Sequence, residues 1–194
     1  MWEQHLRELI DGFKHPAWGL AHSLRVYTMS LRMAQEQSVE VDKEALLAAA
    51  LLHDLGALGS YRQSGVDHAE RSVQVVDGIF RRTDFPPGKI PLVKDIILGH
   101  TFSMRPASPI EAVLFHDADI LDFMGFISVA RILSIVGLDD WAPDLPSAVA
   151  LLSRFTQEMP PRLLTPQAQH LGVGRLAEMR TFLDGLAAEA QDTL

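Results

Sequence analysis

The chain contains no cysteine. Disulfides, zinc–thiolate centres, iron–sulfur clusters and cysteine nucleophiles are therefore excluded, and any metal must be held by imidazole nitrogen and carboxylate oxygen. Long apolar runs are missing as well. The richest stretch, Ala45 to Leu52, runs straight into His53-Asp54 and is too short to span a bilayer. The opening residues Met1-Trp2-Glu3-Gln4-His5 have no basic segment leading into an apolar one, so the expectation is a cytoplasmic protein without a secretory signal or a membrane partner. Positive charge is in deficit: 17 Lys and Arg face 25 Asp and Glu, for a net charge of −8. Nucleic-acid binders carry a basic footprint, so a nucleic-acid partner is not expected. A small phosphorylated substrate stays compatible, because a bound divalent cation reverses the local potential of an acidic protein.

Strand-like alternation is nearly absent, and helical periodicity takes its place. The 194 residues are 47% hydrophobic, enough for one globular core. Helices are expected over Trp2 to Phe13, Gly19 to Gln37, a segment capped by Asp42 and stopped by Gly56, Asp67 to Arg82, and Ile90 to His100. Ser108-Pro109-Ile110-Glu111 reads as a capping box opening a helix to Phe123. Gly125 to Val136, Ser147 to Glu158 and Pro166 to Glu189 complete the set. The pattern predicts an all-α, single-domain helical bundle over 1–194, with helices near 144–191 packing back on the rest.

Eight histidines are present, and three regions group them with acids. His53-Asp54 ends the apolar helix. A carboxylate is unfavourable there, where the helix dipole is already negative, so Asp54 calls for a cation. His22 lies on the second helix with Arg25 three residues on, which sets an imidazole and a guanidinium on one face. His116-Asp117-Ala118-Asp119-Ile120-Leu121-Asp122 places three acids in an apolar helix, where burial is costly without partners.

His22, then Leu51-Leu52-His53-Asp54-Leu55-Gly56, then Ala118-Asp119-Ile120-Leu121 resembles the HD superfamily of metal-dependent phosphohydrolases. The likeness covers roughly 18–133 and extends weakly into the tail. It implies an HD-type helical fold and a divalent ion on His22, His53, Asp54 and Asp119. Asp117 is the alternative to Asp119, and Asp122 a supporting residue. His68 and His100 also stand where many such proteins carry histidines, and they imply a second metal, a phosphate contact or a proton donor. Three departures concern Ile120, where relatives often carry a basic residue, the single histidine near His100 where many carry a pair, and Ala17, where some carry an acid.

On this resemblance the chain is a phosphohydrolase acting on a nucleotide or other small phosphoester through water activated by the metal. Arg25 would neutralise developing charge, and His68 or His100 would protonate the leaving oxygen. Manganese, iron, magnesium, nickel, cobalt and zinc all suit two imidazoles and two carboxylates. Arg62, Arg71 and Lys94 are further candidates for a distal phosphate. Two rivals stay open. One is a di-iron oxygenase using His22, His53, Asp54, His68, His100 and Asp119. The other is a non-catalytic HD-fold binding protein, whose mark would be a missing ligand. The apolar tail helices are a candidate homodimer surface.

Overall fold

A computed structural model describes residues 1–191 and 193. Among the described residues there are helices and turns but no strands. The chain divides into two compact units, Met1–Ala118 and Asp119–Leu194.

The first unit is organised around a helix with no polar face. α3 (Lys43–Leu52) reads KEALLAAALL, and every residue from Ala45 to Leu52 is buried. Alanine and leucine are strong helix formers, and a helix apolar all round is stable only at the centre of a core. α1 (Trp2–Asp11), α2 (Leu20–Glu36) and α5 (Ile90–Gly99) pack against it. α4 (His68–Phe80) packs on α5 and on the turn that follows α3. Asp42 caps α3 as expected, accepting the N–H groups of Glu44 and Ala45 at 3.1 and 3.0 Å. Its other duty was not visible in the sequence: Lys89 donates to Asp42 at 2.9 Å and to Glu44 at 2.6 Å.

Two expectations need correction. Gly56 does not stop α3. The helix ends at Leu52 with His53 as its cap, and the chain goes on through two 3-10 turns, Leu55–Ala57 and Gly59–Tyr61. Nor does Glu111 close a capping box with Ser108. α6 (Ile110–Asp122) begins after Pro109, and Glu111 Oε1 accepts the backbone N–H of Asp42 at 2.9 Å. An orphan donor ahead of α3 drew the carboxylate away from the local motif.

α1 is closed at its start by a distant residue. The backbone N–H of Trp2 donates to the Asp84 carboxylate, and the Trp2 ring meets Phe85 edge-on with centroids 5.0 Å apart.

In the second unit, α7 (Gly125–Ser134), α8 (Leu145–Glu158) and α9 (Pro166–Ala190) pack on one another. Asp144 caps α8 and Thr165 caps α9 through their side-chain oxygens. Among the described residues, no helix is long and apolar enough to cross a membrane.

Candidate functional site

Four helices of the first unit bring their ends or faces to one place. His22 comes from the first turn of α2, His53 and Asp54 from the end of α3, His68 from the start of α4 and His100 from the end of α5. All four helices present these residues at or within one turn of an end.

The four imidazoles converge on the Asp54 carboxylate. Its Oδ2 lies 3.4 Å from His22 Nε2 and 3.2 Å from His53 Nε2. Its Oδ1 lies 3.7 Å from His68 Nε2 and 3.8 Å from His100 Nε2. The imidazoles are paired across the carboxylate, His22 with His53 at 3.1 Å and His68 with His100 at 3.0 Å, Nε2 to Nε2 in both cases. One carboxylate thus serves two histidine pairs, one oxygen to each.

The orientation of two rings is fixed from behind. His53 Nδ1 faces the Ala50 carbonyl oxygen at 2.9 Å, and His100 Nδ1 faces that of Ile97. A carbonyl only accepts, so each Nδ1 carries the hydrogen and each Nε2 is turned to the cluster. Metal-binding histidines are commonly held by such a bond from the second ring nitrogen. His53, Asp54 and His100 offer ligand atoms within 4.8 Å of one another. Nitrogen and oxygen donors packed this closely fit a divalent cation.

Burial and charge act on the group unequally. Burial alone would raise the Asp54 pKa, but the charge of His53 and the hydrogen bond from His22 outweigh it and hold the carboxyl well below its usual range. His100 is pushed well below the usual imidazole range, first by burial and then by His53 and His68, with Asp54 opposing. His22, His53 and His100 are almost wholly enclosed, while the side chains of Asp54 and His68 keep 18% and 35% of their exposure. Solvent therefore reaches the cluster from the Asp54 and His68 side.

Aromatic walls close the rest. Phe115 of α6 stands edge-on to both His53 and His100, and Trp18 stands edge-on to His22 while stacking on His15. Arg25 is half-buried on α2, one turn beyond His22. Arg71 is engaged elsewhere, donating to the Tyr61 carbonyl and to Gln74, and Lys94 is paired with Asp77.

The acids of α6 differ in setting. Asp117 is fully enclosed, 3.7 Å from His116 Nδ1. Asp119 opens the second unit and is buried. Asp122 accepts from Arg131 Nη1 at 2.7 Å, and that guanidinium lies 4.5 Å over the Phe123 ring. A buried cation is the partner that Asp122 needed.

Sequence reasoning missed Ser72. Its enclosed hydroxyl donates to the His53 carbonyl oxygen and accepts the Gly56 N–H, both at 2.8 Å. Its position four residues after His68, on the same face of α4, was the available signal.

A family model described as HD domain matches residues 19–124, more than half of the chain. No curated protein matches by sequence. Solved structures share the fold. A Lactobacillus plantarum protein aligns with TM-score 0.68 and 19% identity, over 98% of this chain and 97% of its own. Bacillus subtilis YpgQ, crystallised in complex with ADP, aligns with TM-score 0.66 and 20% identity, over 96% and 97%. A protein of an uncultured Thermotogales bacterium, described as a predicted HD superfamily hydrolase, aligns with TM-score 0.64 and 22% identity, over 97% and 90%.

Proposed function

The chain belongs to the HD-domain family, and on that premise we propose that it is a metal-dependent phosphohydrolase acting on a nucleotide or another small phosphoester. The observation that carries this reading is the Asp54 carboxylate between two pairs of imidazole nitrogens, open to solvent on one side. The complex of YpgQ with ADP supports a nucleotide as the first substrate class to try.

In this reading His22, His53, Asp54 and Asp119 hold the first ion. The face of α6 favours Asp119 over Asp117. Phe115 turns its ring to His53 and His100, and Asp119 lies four residues further along the same helix, hence on the same face. His68 and His100 are the further donors for a second ion beside Asp54. A divalent ion held by such donors supplies Lewis acidity, which acidifies water and polarises a phosphoryl oxygen.

The protein's own groups divide the remaining work. Asp54 stays ionised and can only accept hydrogen bonds. His100 stays neutral and points its Nε2 inward, which suits a ligand or a base better than an acid. Proton donation to a leaving oxygen falls to His68, the more exposed of that pair. Arg25 balances charge on the transferring phosphoryl group. The substrate is a small molecule in the cytoplasm, and the tail helices remain the candidate homodimer face.

A screen of phosphorylated metabolites with added Mn2+, Co2+, Ni2+, Zn2+, Mg2+ or Fe2+, beside elemental analysis, tests the reading. His53→Ala with Asp54→Ala should abolish every metal-dependent activity found. Activity surviving at the wild-type rate refutes the assignment. The bridging position of Asp54 also favours a second reading, a di-iron oxygenase. Two irons per chain with substrate-dependent oxygen uptake would establish that chemistry and displace hydrolysis.

A further inference from the structure

We infer that Ser72, acting with Gly56, is a positioning residue that sets the separation of the two histidine pairs about Asp54, and so is needed for a second ion that His68 and His100 would help to hold. The inference rests on the two-ion form of the reading above.

Three observations lead to it. The first is the hydroxyl itself, which is enclosed and joined to both sides of the His53–Gly56 turn. The carbonyl of His53 lies at the C-terminal end of α3, where carbonyls have no partner within the helix. Ser72 supplies that partner from another helix. The second is the closeness of the contact. A Cβ at Gly56 would collide with the His68 carbonyl oxygen and stand 2.8 Å from Arg71 Cβ and 2.9 Å from Ser72 N. Only glycine lets the turn lie this tightly on the first turn of α4. The third is what the contact separates. Asp54 sits inside the clamped turn, and His68 sits on the clamping helix, one turn before Ser72.

The clamp is asymmetric. His22 and His53 reach Asp54 Oδ2 from α2 and α3; Ser72 touches only the backbone carbonyl of His53, whose ring is held from within its own helix by the Ala50 carbonyl oxygen. His68 reaches Oδ1 only if α4 keeps its place on the turn. His100 reaches it from α5, which packs on α4. Loosening the Ser72 bridge should therefore spare the first pair and displace the second. Partners one step removed from a metal typically change affinity by about 10–100-fold.

The test uses the full chain and Mn2+ alone, followed by titration calorimetry, with Co2+ absorption spectra as a second readout. Wild type should take up two ions. Ser72→Ala should keep the tighter one within about threefold and bind the weaker at least about tenfold less well. Its Co2+ spectrum should retain one component and lose the other. Ser72→Thr, which keeps a hydroxyl, should restore the second ion. Thermal unfolding of the metal-free variants shows whether each is folded, and Gly56→Ala, which lifts the turn from α4 while keeping the hydroxyl, should repeat the selective loss. Two ions bound equally well by wild type, Ser72→Ala and Gly56→Ala would overturn the clamp but leave the two-ion reading intact. Equal weakening of both ions would make Ser72 merely structural. A wild-type chain that takes up fewer than two ions would overturn the two-ion reading and the clamp with it.

Discussion

The ring of Phe115 stands edge-on to that of His53, with centroids 5.3 Å apart and planes at 74°. It also faces His100 at 6.4 Å, so one enclosed side chain backs a member of each histidine pair. Phe115→Ala should cost about 3–5 kcal/mol, the usual range for emptying an aromatic core position. It should also weaken divalent-ion binding, since both rings lose a wall. Urea unfolding and calorimetry check the two effects. Unchanged ion affinity in the variant would show that the site needs no aromatic backing.

Acid should destabilise the metal-free protein well before its carboxylates titrate. His100 in the folded chain lies well below the usual imidazole range, whereas the unfolded chain takes up that proton near about pH 6.5. Between those values the unfolded state binds more protons, so stability falls as pH falls. Asp54 is held below its usual range and adds a loss of the same sign below about pH 4. Urea midpoints should be level above about pH 7 and decline toward about pH 5, and His100→Phe should flatten that decline. A wild-type midpoint unchanged across the interval would contradict the depressed imidazole.

Arg25→Gln should leave metal content unchanged and lower kcat by about 100-fold or more, the scale seen when one group that stabilises transition-state charge is removed. Turnover with the best phosphorylated substrate from the screen, alongside elemental analysis, measures this. Unchanged kcat would remove Arg25 from the site.

Asp42→Ala should do the reverse. It removes the α3 cap and one arm of the Lys89 bridge, at a cost of about 0.5–2 kcal/mol. Metal binding and turnover should not change, because Asp42 stands at the far end of α3 from His53. Reduced metal affinity would mean that α3 transmits changes along its length.

The all-helical fold was legible because amphipathic spacing and a few caps sufficed. Asp42 stands where the sequence placed it, as the cap of α3. The convergence of His22, His53, Asp54, His68 and His100 was readable only through resemblance, since spacing along a chain does not report which helix ends meet. Gly56 shows what single-strand reasoning cannot see. Its place after an apolar run reads as a helix stop, yet its real constraint is the backbone of α4 pressed against it. Glu111 failed similarly, because its partner lies 69 residues away. The acids of α6 read as costly, but the cation paired with Asp122 comes from α7 and no local pattern announces it.

The bond from Trp2 to Asp84 closes a loop of 82 residues. A helix finished by so remote a side chain cannot take its final form until residue 84 has been made and folded beside it. The opening turn must wait for residues that are translated seconds later, and its apolar face is meanwhile without its final cover.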